Sequence, residues 1–99
     1  MIIVTGTIHA RADTIDEVRR ISLEHVARSR QEPGCIEHGV TVDVDDSLRL
    51  VFFERWADMA ALQAHFKVPA SREFGAQAAK LAARPPELAA YEASELKLR

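Results

Sequence analysis

The stretch Leu48–His65, LRLVFFERWADMAALQAH, decides how this chain is read. Leu50, Phe52, Glu54 and Trp56 share one face of a strand by its two-residue period, while Val51 and Phe53 make the other face apolar too. A strand apolar on both sides must be covered on both sides. Asp58 then caps a helix, MAALQAHFK, with Met59, Leu62 and Phe66 on its core stripe and His65 at the edge of it. The segment thus brings a histidine back towards the strand that carries Glu54 and Trp56. Those three residues are the first candidates for chemistry.

Upstream, Cys35 to Val44 alternates: Ile36, His38, Val40, Val42 and Val44 face one way, Glu37, Thr41 and Asp43 the other. Asp45-Asp46-Ser47 joins it to Leu48 as a hairpin turn. Before it, Asp13 is an N-cap for IDEVRRISLEHVARSRQE, whose stripe is Ile15, Val18, Ser22, Val26 and Ser29, flanked by Ile21 and His25. The charged run from Glu24 to Glu32 reads as the solvated face of that helix, which Pro33-Gly34 stops. Met1 to His9 is a β-rich run in which Gly6 marks close approach of another backbone or a ligand.

Downstream, Val68-Pro69 breaks the pattern, and Ala70 to Ala83 forms a helix burying Phe74, Ala78, Leu81 and Ala82. Residues 87–98 have helical propensity, but Leu88, Ala90, Glu92, Ser94, Leu96 and Leu98 keep a strand period, and a βαββα chain still needs a fourth strand. The order βαββαβ predicts a ferredoxin-like α+β sandwich over residues 1–99 as one domain, with an antiparallel sheet and helices on one face. The uncovered, partly apolar face predicts a homodimer packed sheet to sheet.

Composition narrows the function classes. A formal net charge of -2 leaves no basic footprint for nucleic acid. No apolar run is long enough to span a membrane, and the start, MIIVTGTIHARAD, lacks the features of a secretory leader, which makes cytoplasm the default. The one cysteine, Cys35, allows no internal disulfide and no thiolate cage, and reads as a small residue at a strand start. The chain has four histidines but no His-x-x-x-His or His-x-Glu spacing, and no Gly-rich phosphate loop. Neither a metal nor a nucleotide cofactor is expected.

Glu32-Pro33-Gly34-Cys35, the run Phe53-Glu54-Arg55-Trp56-Ala57-Asp58, the return Ala61-Leu62 to His65, and Ser71-Arg72-Glu73-Phe74 together resemble the antibiotic biosynthesis monooxygenase domain family. The resemblance runs over nearly the whole chain and implies a dimeric α/β barrel. That family includes cofactor-free quinol and polyketide oxygenases, haem-degrading enzymes and an isomerase. The haem-degrading branch uses an Asn on the first strand, a Trp on the second helix and a later His. Here Thr5, His65 and Gly75 stand near those places, so all three depart. The cofactor-free oxygenases fit better: an apolar cavity holds an electron-rich aromatic, and a base promotes its anion, which reacts directly with dioxygen.

The resemblance and the residues together point to His65 as base and Glu54 as the carboxylate that orients it, or as an acid or base itself. The structural alternative for Glu54 is an ion pair with an arginine such as Arg19. Trp56, Phe52, Phe66 and Phe74 are core residues that would also wall a ring-sized pocket, His38 is the next polar candidate, and Tyr91 reaches either the pocket or a neighbouring subunit. His25 reads as a core-edge histidine and His9 as solvated. The expected function is a cofactor-independent monooxygenase acting on a small quinol, phenol or polyketide-like aromatic. The competing reading is a non-oxygenase of the same fold: an isomerase, a metabolite-binding module or a stress-response domain.

Overall fold

The computed structural model describes residues 1–99. Strand β1 (Ile2–His9) leads into helix α1 (Ile15–Ser29); the hairpin of β2 (Cys35–Val42) and β3 (Arg49–Trp56) follows; α2 (Met59–Lys67) and α3 (Pro69–Leu81) then lead to β4 (Glu87–Glu92). The strands form one antiparallel sheet in the order β2-β3-β1-β4. This is the ferredoxin-like α+β arrangement, with the two most apolar strands at its centre.

Register sorts the side chains. Val4 sits opposite Glu54 and Gly6 opposite Phe52, and β4 places Leu88 beside Gly6 and Ala90 beside Val4. Ile2, Val4, Ile8, Leu50, Phe52 and Trp56 are accordingly buried under the helices. The core has two parts. Ile8, Val18, Val26, Leu50, Phe52 and Ala78 belong to one, while Ile2, Val4, Trp56 and Leu62 make the other.

Several expectations are corrected in detail. The alternation of β2 breaks at a bulge between Cys35 and Glu37, so Cys35 pairs with Trp56 and His38 with Glu54, and Ile36 is left exposed. Val44 is fully exposed in a connection closed by the Arg49–Asp43 ion pair at 2.8 Å, so the turn is longer than Asp45-Asp46-Ser47. Helix α1 starts at Ile15, and Thr14 rather than Asp13 precedes it. The Thr14 hydroxyl donates to the Leu81 carbonyl at 2.8 Å, tying α1 to the end of α3, while Asp13 pairs with Arg11 in solvent. Asp58 does cap α2, accepting from the Ala61 N–H at 2.9 Å. Met59 and Phe66 lie at the exposed margin of that helix, since nine residues can turn only a narrow stripe inward. The last strand ends at Glu92, and Leu96 and Leu98 are exposed. No helix is long and apolar enough to cross a membrane.

Gly34 sets how close α2 comes. Its φ of 82° lies in the left-handed region, and a Cβ there would stand 2.5 Å from the Ala61 Cβ. Only glycine lets the turn after α1 lie against α2 at this point. The neighbour two residues back, Glu32, is thereby brought to α2.

Candidate functional site

A cavity of about 400 Å³ opens between the sheet and the helices. Its walls include Gly6, Phe52, Glu54 and Leu88 from the sheet side, His25 from α1, and His65, Phe66, Phe74 and Gly75 from α2 and α3. Volumes of this size suit a small organic ligand. Two glycines help to keep it open. A Cβ on Gly6 would press on Leu88 at 3.3 Å, and one on Gly75 would meet nothing within 4 Å.

The polar end of the cavity is a cluster of histidines and carboxylates. The Glu54 carboxylate is buried between Phe52 and Trp56, where an unpaired charge would be costly. It accepts from the Trp56 indole N–H at 2.9 Å and stands 3.4 Å from His38 Nε2, an ion-pair distance whose alignment falls short of a hydrogen bond. Burial pushes its pKa up, but His38, the indole N–H and His65 outweigh this and hold the carboxyl below its ordinary value. It is a carboxylate at neutral pH. Arg19 does not reach it.

His65 is oriented differently from expectation. Its Nδ1 lies 2.8 Å from Glu32 Oε1, so Glu32, not Glu54, is the carboxylate that holds it. Glu32 is not on a solvated helix face, because α1 ends at Ser29 and the turn through Pro33-Gly34 swings its side chain under α2. In the neutral ring, a proton on Nδ1 facing that carboxylate leaves the lone pair on Nε2. Trp56 packs on the ring, with centroids 4.6 Å apart.

His25 lies at the centre of the cluster. It stacks on Phe74 with centroids 4.1 Å apart and planes within 6°, and its ring is 5.2 Å from that of His38 and 5.3 Å from that of His65. Burial, then the neighbouring His38 and His65, lower its pKa to about 3, so it is a neutral imidazole. Cys35 has the opposite chemistry from a nucleophile. Burial and the carboxylates of Glu32 and Glu54 push its thiol up.

Phe52, Glu54, His65, Phe66 and Phe74 therefore line the cavity itself. Trp56 and His38 are fully buried behind that lining, in contact with Glu54 and His65. Tyr91 is corrected outright as a lining residue of its own chain. It pairs with Ile3, whose side chain points to the open face of the sheet, and it is exposed there. His25 and Glu32 were missed as site residues. The signal for Glu32 was the glycine two places on, which implies a turn tight enough to redirect it.

The antibiotic biosynthesis monooxygenase family model matches residues 1–77. The protein sll1783 of Synechocystis, of uncharacterised activity, is 35% identical over 94 residues, covering 95% of this chain. The chain spans 64% of that relative's length. A Deinococcus radiodurans protein provisionally named an antibiotic biosynthesis monooxygenase matches with a TM-score of 0.90 and 26% identity, over 98% of this chain and 96% of that one. Rv0793 of Mycobacterium tuberculosis matches with a TM-score of 0.89 over 96% of each chain, and at 24% identity the likeness is one of fold. Strands β1, β2 and β3, the Glu32-to-Cys35 turn and the strand-to-helix unit around Trp56 lie within the matched residues, and the chain belongs to the antibiotic biosynthesis monooxygenase family.

Proposed function

We propose that this protein is a monooxygenase that converts a small phenol or quinol-like aromatic with dioxygen. The observation that carries the reading is a partly apolar cavity of about 400 Å³ with a carboxylate-oriented histidine on its wall. Phe52, Phe66 and Phe74 offer ring faces and edges, and His65 Nε2 accepts the phenolic proton. The resulting phenolate is electron-rich enough to reduce dioxygen. One oxygen atom enters the ring as the new carbonyl of a quinone and the other leaves as water. The neutral His25 and the buried Glu54 carboxylate keep the polar end hydrogen-bonding and free of fixed positive charge.

The test is oxygen uptake by the purified, untagged protein with a panel of phenols, anthrones and quinols, with quinone formation followed by absorbance. Turnover by the wild type and a loss of about 100-fold in kcat for His65→Asn are expected. Glu32→Gln should shift the pH profile of kcat/KM, as removal of the orienting carboxylate changes the basicity of the ring. Ligand-induced stabilisation with no oxygen uptake would replace this reading with that of an isomerase or a binding module.

A second copy of the chain is the proposed partner of the open sheet face. Phe53 and Tyr91 are exposed there beside Ile3, Thr5 and Val51, whose partial exposure leaves an apolar surface without cover. Light scattering should give twice the chain mass of 11.0 kDa. Phe53→Glu should give the monomer, and a wild-type monomer at micromolar concentration would end the idea.

A further inference from the structure

We propose that His25, His38 and His65 form a binding site for a divalent first-row transition metal ion, with the Glu54 carboxylate beside it. The three residues come from α1, β2 and α2, all are buried, and each offers a ring nitrogen such that the three atoms lie within 4.8 Å of one another. Ring centroids are 5.2, 5.3 and 5.7 Å apart. Imidazoles bound to a tetrahedral ion at a metal–nitrogen distance of about 2.0–2.1 Å have ring centres about 5 Å apart, which is this spacing. Ligand atoms around such an ion stand about 3.3 Å apart, so the side chains need only a shift of about 1 Å to close on it.

The hydrogen bonding points the same way. Buried polar atoms are nearly always paired, yet His25 Nδ1 and both ring nitrogens of His38 have no hydrogen-bond partner. His65 is held by Glu32 through Nδ1, which leaves Nε2 as the donor atom. A histidine ligand backed by a carboxylate on its other nitrogen is the arrangement that fixes tautomer and ring orientation in metal centres. Charge agrees as well. Glu54 pairs with no lysine or arginine, its one hydrogen-bond donor being the uncharged Trp56 indole, and Glu32 pairs only with His65, so the cluster carries two carboxylates with no lysine or arginine beside them. A dication would balance them. Neutral imidazoles with one carboxylate suit Zn²⁺, Co²⁺, Ni²⁺, Fe²⁺ or Cu²⁺ rather than Mg²⁺ or Ca²⁺.

This site does not rest on the oxygenase reading. A nitrogen that holds an ion cannot also accept a phenolic proton, so loading the site with Zn²⁺ would silence His65 as a base. The pattern in the chain that hid this site is its dispersal: the three histidines are 13 and 27 residues apart (25 to 38, 38 to 65) on separate elements, so no short spacing reveals them.

The experiment uses untagged protein stripped with chelator, titrated with Zn²⁺ by calorimetry and with Co²⁺ by visible absorption and proton NMR. One ion per chain, tetrahedral Co²⁺ bands, and paramagnetic shifts on the ring protons of three histidines but not the fourth, His9, are expected. His25→Ala and His38→Ala should each weaken Zn²⁺ binding at least ~10-fold, Glu32→Gln about 10-fold, and His9→Ala not at all. The Co²⁺ spectrum of the wild type decides the matter even if a variant fails to fold. No saturable binding at 100 µM Zn²⁺ or Co²⁺ (a concentration on the order of that used for weak sites) would overturn the proposal, as would binding that is lost in His9→Ala and kept in His38→Ala. Failure of oxygen uptake leaves this result untouched, and failure of ion binding leaves the oxygenase test untouched.

Discussion

Trp56→Ala should cost about 3–5 kcal/mol of folding free energy, a large loss for a single core truncation. Trp56 is completely buried and shares its core cluster with Ile2, Val4 and Leu62. It therefore joins the sheet to α2, and the truncation leaves a void that neither strand nor helix can collapse to fill. A second loss adds to the first. The indole N–H is the hydrogen bond that Glu54 accepts at 2.9 Å, and a buried carboxylate deprived of a donor costs more than the bond was worth. Trp56→Phe separates the two effects, since it keeps most of the ring and removes the N–H. A cost of about 1–3 kcal/mol is expected for it. For a domain of this size Trp56→Ala corresponds to a fall in melting temperature of more than ~12 °C. Denaturant titration at fixed protein concentration measures both values, the concentration being held because any self-association shifts the midpoint. A cost below about 1 kcal/mol for Trp56→Ala would mean that Trp56 does not join α2 to the sheet.

Period and capping carried much of the fold in the primary structure. The alternation in β3, Asp58 before α2, and Pro33-Gly34 after α1 each act locally, so each is visible locally. The bulge in β2 was not visible. Ile36 belongs to the alternating pattern by composition, and only the pairing of Cys35 with Trp56 and of Glu37 with Arg55 shows where the register slips. Which of the two readings of Tyr91 holds, pocket or outer face, was hidden for a related reason. One residue of register decides which face of a strand a side chain occupies, and β4 is a short edge strand with weak alternation.

The candidate site was legible in its members and illegible in its wiring. Glu54, Trp56, His38 and His65 do come together, but the pairs are Glu54 with Trp56 and His38, and His65 with Glu32. Pairing between side chains on different elements depends on how deep each helix sits over the sheet. Here that depth is set by Gly34 against Ala61, a contact between residues 27 apart (34 to 61) in the chain. Glu32 looked like part of a solvated charge run because its neighbours Arg28 and Arg30 are polar too. His25 looked like a core-edge residue because its helix stripe is otherwise apolar or small. What distinguishes it is that two other histidines face it, from β2 and α2.

That enclosure makes His25 a sensor of acid, and stability in the presence of chelator should fall as pH drops from about 6.5 to about 4.5. The folded pKa of His25 is lowered from 6.5 to about 3, first by burial and then by His38 and His65, with Arg28 adding to the fall and Glu54 opposing it. Phe74 covers its ring and offers no charge. Between those two values the unfolded chain binds a proton that the folded chain refuses, so protonation favours unfolding as pH decreases. Above 6.5 both states are neutral at this ring and the effect is absent. The limiting slope for one proton is about 1.4 kcal/mol per pH unit. His25 borders the open cavity, where water screens part of the penalty, so a total loss of roughly 1–2 kcal/mol over the window is expected. Glu54 has a lowered pKa as well, but its ordinary value of 4.5 places its own window below this one. The chain holds three further histidines, so the wild-type slope alone does not assign the effect. His25→Leu keeps a similar volume against Phe74 and removes the ring nitrogens. Urea titrations of both proteins at about pH 7, 5.5 and 4.5 should show a steeper decline for the wild type than for His25→Leu. Parallel slopes would mean that water enters the cluster freely enough to solvate a charged His25, and the neutral imidazole at its centre would have to be abandoned.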